Sequence, residues 1–307
     1  MVLLCGIPTE SPLAMVRDRL DAIRTPYLVI SQRRFAEMPF QFQISGDSVS
    51  GRLTIDGRHQ PLEDVRAVYT RLMDYQALPE ISSEPAGSPR RLLARDWHDA
   101  VSRWCEIAPI RVVNRAAPMG SNSSKPFQAQ AITRRGFFTP ETLITSDPAL
   151  ARAFITEHRR VIYKSISGVR SIVREVDADD LARLNTIRSC PVQFQAYVEG
   201  RNVRVHTIGH EVFATAMSTE ATDYRYAHRN DGQPAVLEAV ELSDDVAAQC
   251  LALARDLELP FAGIDLKVTP RDEVYCFEVN PSPAYSYYES HTGQPISAAI
   301  ARYLTGP

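Results

Sequence analysis

A chain of 307 residues is too long for one small core and suits two or three packed units. Its 44% hydrophobic and 23% charged residues are ordinary for a globular protein, and a formal net charge of -3 gives no general pull toward nucleic acid or an anionic membrane. Cys5, Cys105, Cys190, Cys250 and Cys276 form no CxxC pair, which argues against a zinc knuckle or disulfide framework and for reduced cytoplasmic thiols.

The chain opens on the apolar stretch Val2–Cys5. It lacks a basic n-region and soon meets Pro8 and Glu10, so it reads as a buried strand rather than a signal peptide. No apolar run reaches the length of a membrane span. A helix is expected from Ser11 and a strand at Tyr27–Ile30. Strands at Gln41–Ser45 and Val49–Ile55 are joined by the turn Gly46-Asp47, and Asp56-Gly57 ends the pair. Val65–Arg71 is another strand, followed by an amphipathic helix, Arg91–Glu106, and the strand Arg111–Asn114. Trp97 and Trp104 stand seven apart on that helix and form one buried stripe.

A second region, 116–190, begins with the polar loop Gly120-Ser-Asn-Ser-Ser124 and a helix over Lys125–Arg135. Strands follow at Glu141–Thr145, Val161–Lys164 and Ile172–Val176, with a helix between the first two. The third region, 191–307, alternates as strands at Val192–Val198, Val203–Ile208 and Val212–Ser218. A helix at Asp244–Leu257 and strands at Gly263–Val268 and Val274–Val279 complete it. The mixture predicts an α+β layered fold around a cleft.

Chemistry concentrates toward the C-terminus. Asp265 lies in one strand, and Glu278 and Asn280 lie two apart in the next, so those two share a face. A hairpin through Thr269–Glu273 sets Asp265 opposite Glu278. Two carboxylates and an amide oxygen suit Mg²⁺, a hard cation that prefers oxygen ligands, although acids on a solvated sheet face give the same pattern. Lys125 opens a helix after a Ser/Asn loop, and Lys164 ends an apolar strand where an unpaired ammonium is costly. Ser167 and Gly168 follow, in a loop whose hydroxyls and amides suit phosphate oxygens. A snorkelling lysine on a surface hairpin is the plainer alternative for either lysine alone. The strand through Gln195, Tyr197 and Val198 breaks at Glu199-Gly200 and can offer main-chain groups to an adenine edge. Arg204 and Arg225 are suited to developing phosphoryl charge, or to surface ion pairs.

Taken in order, these pieces resemble the ATP-grasp superfamily, and within it the RimK-like carboxylate–amine ligases. Lys125 with Gly136-Phe-Phe-Thr-Pro-Glu-Thr142 resembles the family's entry motif. Lys164 with its Ser/Gly loop resembles the second ATP lysine and phosphate loop. Gln195–Glu199 resembles the adenine-binding connection. Asn202-x-Arg204 and Asp223-Tyr-Arg225 resemble Asp-x-Arg elements, and Gly263-Ile-Asp265 and Glu278-Val-Asn-Pro281 the metal-binding strands. The likeness spans about residues 112–304. Ala196 stands where many relatives carry glutamate, and Asn202 where they carry aspartate.

The resemblance implies two α+β subdomains gripping ATP behind an N-terminal α/β domain of residues 1–115, with 116–190 as the central lid and 191–307 as the metal-binding subdomain. It implies two Mg²⁺ ions, with Mn²⁺ as a substitute, held by Asp265, Glu278 and Asn280. It implies catalytic roles for Arg204 and Arg225, and nucleotide contacts from Lys125, Lys164, Ser167, Gly168, Gln195, Tyr197, Val198 and Glu199. The reaction implied joins a small-molecule or peptide carboxylate to an amine through an acyl phosphate. A peptide macrocyclase forming ester or amide links, an ATP-grasp kinase and a non-catalytic nucleotide scaffold are the alternatives. No nucleic acid or membrane partner is expected, and homo-oligomerisation is left open. The aromatic run Tyr285–Tyr288 lines an acceptor pocket or packs a core. His206 and His210 fall on two strands and are expected to diverge or face solvent rather than bind metal. The arginine pairs at 33–34, 90–91, 134–135 and 159–160 read as solvated helix faces.

Overall fold

The computed structural model describes residues 1–166, 173–218 and 236–306. Val2–Gly6 is flanked in parallel by Tyr27–Ser31 and Ala67–Thr70, and Arg111–Val113 extends the sheet. A parallel strand must be buried on both faces, which is why this opening run carries no polar alternation. Val2 and Leu4 face one core with Leu13, Val16 and Leu20 of the helix Ser11–Ala22. Leu3 and Cys5 face another with Trp97, Val101 and Trp104 of the helix Pro89–Ile107. The tryptophan stripe is therefore buried, and Trp97 Nε1 donates to the Met38 carbonyl at 2.7 Å.

The hairpin Phe40–Ser45 and Ser48–Ile55 does not end at Asp56-Gly57. Those residues turn the chain into a third antiparallel strand, Arg58–Pro61, which closes a small separate sheet. Its sequence, Arg-His-Gln-Pro, is polar and proline-ended, an edge strand that hydrophobic alternation cannot reveal.

Thr142–Thr145, Val192–Ala196, Val161–Lys164 and Arg174–Glu175 form a four-stranded antiparallel sheet. Val192–Ala196 hydrogen-bonds inside this sheet. We therefore propose that the second unit runs on to Ala196, beyond the division at 190 expected from sequence. The expected strand Val192–Val198 correspondingly stops at Ala196, and the strand expected over 172–176 is described as Arg174–Glu175. The third sheet is antiparallel, in the order Val236–Val240, Glu211–Ser218, Arg201–Ile208, Phe261–Val268, Val274–Asn280. The helices Lys125–Arg134 and Asp244–Asp256 cover one face of it, burying Ile132, Cys250 and Leu253 against Val205, Ile264 and Val279.

The C-terminal helix Ile296–Thr305 returns to the first sheet. Ile296, Ile300 and Leu304 join the core of Leu4, Leu13 and Leu20, together with Tyr285 and Tyr288. Tyr285 and Tyr288 are thus packing residues, as one of the two sequence readings held, whereas Tyr287 is exposed. Among the described residues no helix is long and apolar enough to cross a membrane.

Candidate functional site

The face of the third sheet away from its helices carries the polar side chains. Asp265 pairs in register with Glu278 on one side and with Arg204 on the other. A bulge between Asp265 and Leu266 lets Asp265 and Glu278 sit side by side while the strands beyond slip register. Arg204 Nη1 donates to Asp265 Oδ1 at 2.5 Å, and its side chain is only 6% exposed. Gly263 makes room for it: a Cβ there would stand 2.5 Å from Arg204 Nη2. The glycine of the Gly-Ile-Asp run is therefore set by a side chain two strand positions away rather than by a turn.

Lys125 reaches the same place from the other direction. Ser124 caps its helix, accepting from the Phe127 amide. One turn on, the buried Gln128 side chain brackets Val279, donating to its carbonyl at 2.7 Å and accepting from its amide at 3.2 Å. The helix is thereby fixed along the strand that carries Glu278. Lys125 Nζ then donates to Glu278 Oε1 at 2.5 Å and to Asn122 Oδ1 at 2.9 Å. Asn280 follows on the same strand, and its Oδ1 accepts from the Ser282 amide at 2.9 Å. Each carboxylate expected to take metal is thus matched by a cation of the protein itself. Among the described residues no cluster of three His, Cys, Asp or Glu side chains offers a competing metal site.

Above this row lies the second sheet. Lys164 ends its strand opposite Gln193, and between the sheets run two adjoining cavities of about 390 and 110 Å³. Lys125, Lys164, Gln193, Gln195 and Phe277 line the larger; Lys164, Val198, Asp265, Lys267 and Glu278 line the smaller. Gln195 Nε2 donates to Thr142 Oγ1 at 2.9 Å, but Gln195 Oε1 and Gln193 Oε1 are buried with no hydrogen-bond partner among the described residues. Buried acceptors without donors are costly, and here they border an open cavity that a donor-bearing ligand can fill. The donor set fits its expected guests: oxygen ligands for Mg²⁺, lysines for phosphates, and unpaired acceptors for a base or water.

The connection Tyr197–Gly200 crosses from the second sheet to the third. Gly200 passes so close to Val268 that a Cβ would meet its carbonyl oxygen at 2.3 Å. Two residues to which the sequence reading gave no part in the site hold this connection. Lys267 Nζ donates to the Val198 carbonyl at 2.9 Å and lies over the Tyr197 and Phe277 rings. Burial, and next the Arg160 charge, push its ammonium below the usual lysine range, with Glu199 opposing. Arg160 lies 3.7 Å over the Tyr197 ring and pairs with Glu175. The expectation of a solvated helix face is corrected here, because Arg160 follows its helix and covers the connection. Lys267 alternates with Asp265, a signal the Asp-Leu-Lys run already contained.

His206 and His210 diverge as expected, with a correction. His210 is exposed, but His206 is fully buried beside Phe261 and Tyr288, and neither of its ring nitrogens has a hydrogen-bond partner among the described residues. Ser167, Gly168 and Arg225 lie outside the described residues, as do Asp223 and most of the loop after Lys164. A further cavity, about 910 Å³, opens at the far end of the first sheet. Two of its arginines, Arg111 and Arg115, are spent on helix-end carbonyls there, so it offers no comparable chemistry.

The chain is similar to known proteins over much of its length. A "probable alpha-L-glutamate ligase" of Parasynechococcus marenigrum is 25% identical over 216 residues, which is 67% of this chain but 46% of that protein, so the match spans about half of the relative's length. A Chryseobacterium gregarium RiPP-associated ATP-grasp ligase, solved with ADP and a leader and core peptide, superposes with a TM-score of 0.84 at 23% identity, covering 99% of this chain and 96% of that one. The ATP-grasp ligase PsnB, solved with its minimal precursor, Mg and ADP, gives 0.79 at 26% identity, covering 99% and 96%. The model of the RimK-like ATP-grasp domain matches residues 123–304, more than half of the sequence, and the chain belongs to that family.

Proposed function

We propose that the chain is an ATP-dependent carboxylate–amine ligase that works through an acyl phosphate and acts on a peptide. The observation that carries this reading is the convergence of Lys125, Lys164, Asp265 and Glu278 on two adjoining cavities between two sheets, with Asn280 two residues on from Glu278 in the same strand. Asp265, Glu278 and Asn280 would hold Mg²⁺, which draws charge from the nucleotide phosphates when bound. Lys125 pairs with Glu278 and lies close enough to turn to a phosphate oxygen. Lys164 serves phosphates from the opposite sheet. Gln195, Tyr197 and Val198 form the base side of the cavities, with Glu199 next along the connection for the ribose and Lys267 tying down the Val198 carbonyl. Arg204 fixes Asp265 and faces the developing charge; Arg225 and the Ser167–Gly168 loop carry the roles implied by their motifs. The substrate carboxylate attacks the γ-phosphate, ADP leaves, and an amine then displaces phosphate from the acyl carbon.

The peptide part of the reading is supported by PsnB, whose solved complexes contain precursor peptide. The decisive assay supplies MgATP, candidate acidic peptides and hydroxylamine. ADP, phosphate and a hydroxamate should appear together. A stable phosphopeptide without hydroxamate would mean a kinase, and AMP with pyrophosphate would reject both readings. Mass spectrometry without hydroxylamine separates a macrocycle, which loses one water per link, from a product that gains the mass of an external amine less one water.

A further inference from the structure

The first sheet reaches the candidate metal site through Arg71. This residue follows the strand Ala67–Thr70 at its C-terminal end, and its amide donates to the Cys5 carbonyl at 2.8 Å, prolonging the parallel ladder. Gly6 lets the backbones close up, since a Cβ there would stand 3.0 Å from the Arg71 carbonyl oxygen. The Arg71 side chain is 8% exposed. Its Nε and Nη2 donate to both oxygens of Glu10, at 2.9 and 2.5 Å. Its Nη1 is left for the segment after Asn280, donating to Ser282 Oγ at 3.2 Å and to the Pro283 carbonyl at 3.3 Å. Ser282 in turn donates its amide to Asn280 Oδ1. An unbroken chain of contacts therefore runs from Glu10 through Arg71 and Ser282 to Asn280.

A buried ion pair is poor value as simple glue between domains, because apolar side chains of the same volume hold as well or better. A planar guanidinium does what they cannot: two donors lock onto Glu10, and the third edge then points in one direction. We propose that Arg71 is a positioning residue for the metal site, fixing the turn at Ser282 so that the Asn280 side chain is aimed at Mg²⁺. The proposal rests on the reading of Asn280 as a metal ligand. It gives the N-terminal unit a direct part in nucleotide binding.

Calorimetry of ADP binding to the full chain, in Mg²⁺ and in EDTA, tests it with Ser282→Ala, Arg71→Met and the double variant. In Mg²⁺, Arg71→Met should weaken ADP about tenfold, the scale of losing an outer-shell contact to a metal ligand. Ser282→Ala should weaken it about threefold or more on the same grounds. Both should match wild type in EDTA. The double variant should be no weaker than Arg71→Met alone, because both cut one link. Melting curves control for folding, and Ser282→Ala suffices if Arg71→Met does not fold. Equal losses with and without metal, additive losses, or a folded Ser282→Ala that binds as wild type would overturn the proposal. If wild type itself binds ADP equally with and without Mg²⁺, the metal-site reading beneath it fails instead.

Discussion

Two cations of the protein itself, Lys125 and Arg204, pair with the carboxylates Glu278 and Asp265, and this sets what single substitutions do. Glu278→Gln removes the partner of Lys125, which keeps Asn122 and is 14% exposed. A half-open pair of this kind is worth roughly 1 kcal/mol, between exposed and fully buried cases. We expect Glu278→Gln to shift the urea midpoint slightly while abolishing the Mg²⁺ dependence of ATP binding. A collapse of the fold with binding intact would mark Glu278 as structural. His206 behaves differently. Burial, and next the Arg204 charge, hold its imidazole well below the usual histidine range. Below about pH 6.5 the unfolded chain takes up a proton that the folded chain refuses, so stability falls as pH drops through that value. His206→Leu removes this loss and two unpaired buried nitrogens. Between pH 7.5 and 5.5 wild type should lose about 1.4 kcal/mol more than His206→Leu, read by denaturant titration at each pH. Parallel curves would refute the assignment.

Elements place these residues through contacts that neither element makes alone. The helix Lys125–Arg134 has ordinary signals of its own: a serine cap and a proline in the first turn. Where it docks is decided by Gln128, which takes the place of a missing neighbour strand beside Val279. Gln128→Leu would strand a buried amide and a buried carbonyl at about 1–3 kcal/mol each, and would release Lys125 from its register. We expect a loss of about 3 kcal/mol in urea unfolding and weakened ATP binding. Unchanged nucleotide affinity at reduced stability would show that Lys125 finds its place without that bracket. Four strands of the third sheet were legible to within two residues because their alternation is strong, whereas Val236–Val240 was not read from the sequence. The edge strand Arg58–Pro61 was not, since an exposed edge carries no apolar signature.

At the scale of the molecule, the first and last segments share one core. The helix Ile296–Thr305 contributes Ile296, Ile300 and Leu304 to the cover of the first sheet. Three such side chains at roughly 2 kcal/mol each approach the whole stability of a domain. Deleting residues 296–307 should therefore remove the cooperative melt and raise binding of a hydrophobic dye, even though no candidate site residue is lost. A deletion variant that still melts cooperatively near the wild-type temperature would show that the helix is dispensable cover.

The sequence by itself determined the local matters. The strand periods, the turns and each of the family's motifs follow from residues close together in the chain, and the order of those motifs can be read along it without knowing what they touch. Only tertiary structure decided which side chains meet. Arg71 and Ser282 are 211 residues apart, and Lys125 and Glu278 are 153 apart. Alternation showed that His206 and Arg204 share a face, but not that one end of that face is closed by Phe261 and Tyr288 while the other borders the cavity. Pairing between distant segments depends on register, on the Asp265 bulge and on which helix covers which sheet. Those are settled by the summed burial of the whole chain, and a short stretch of sequence carries too little of that sum to reveal them.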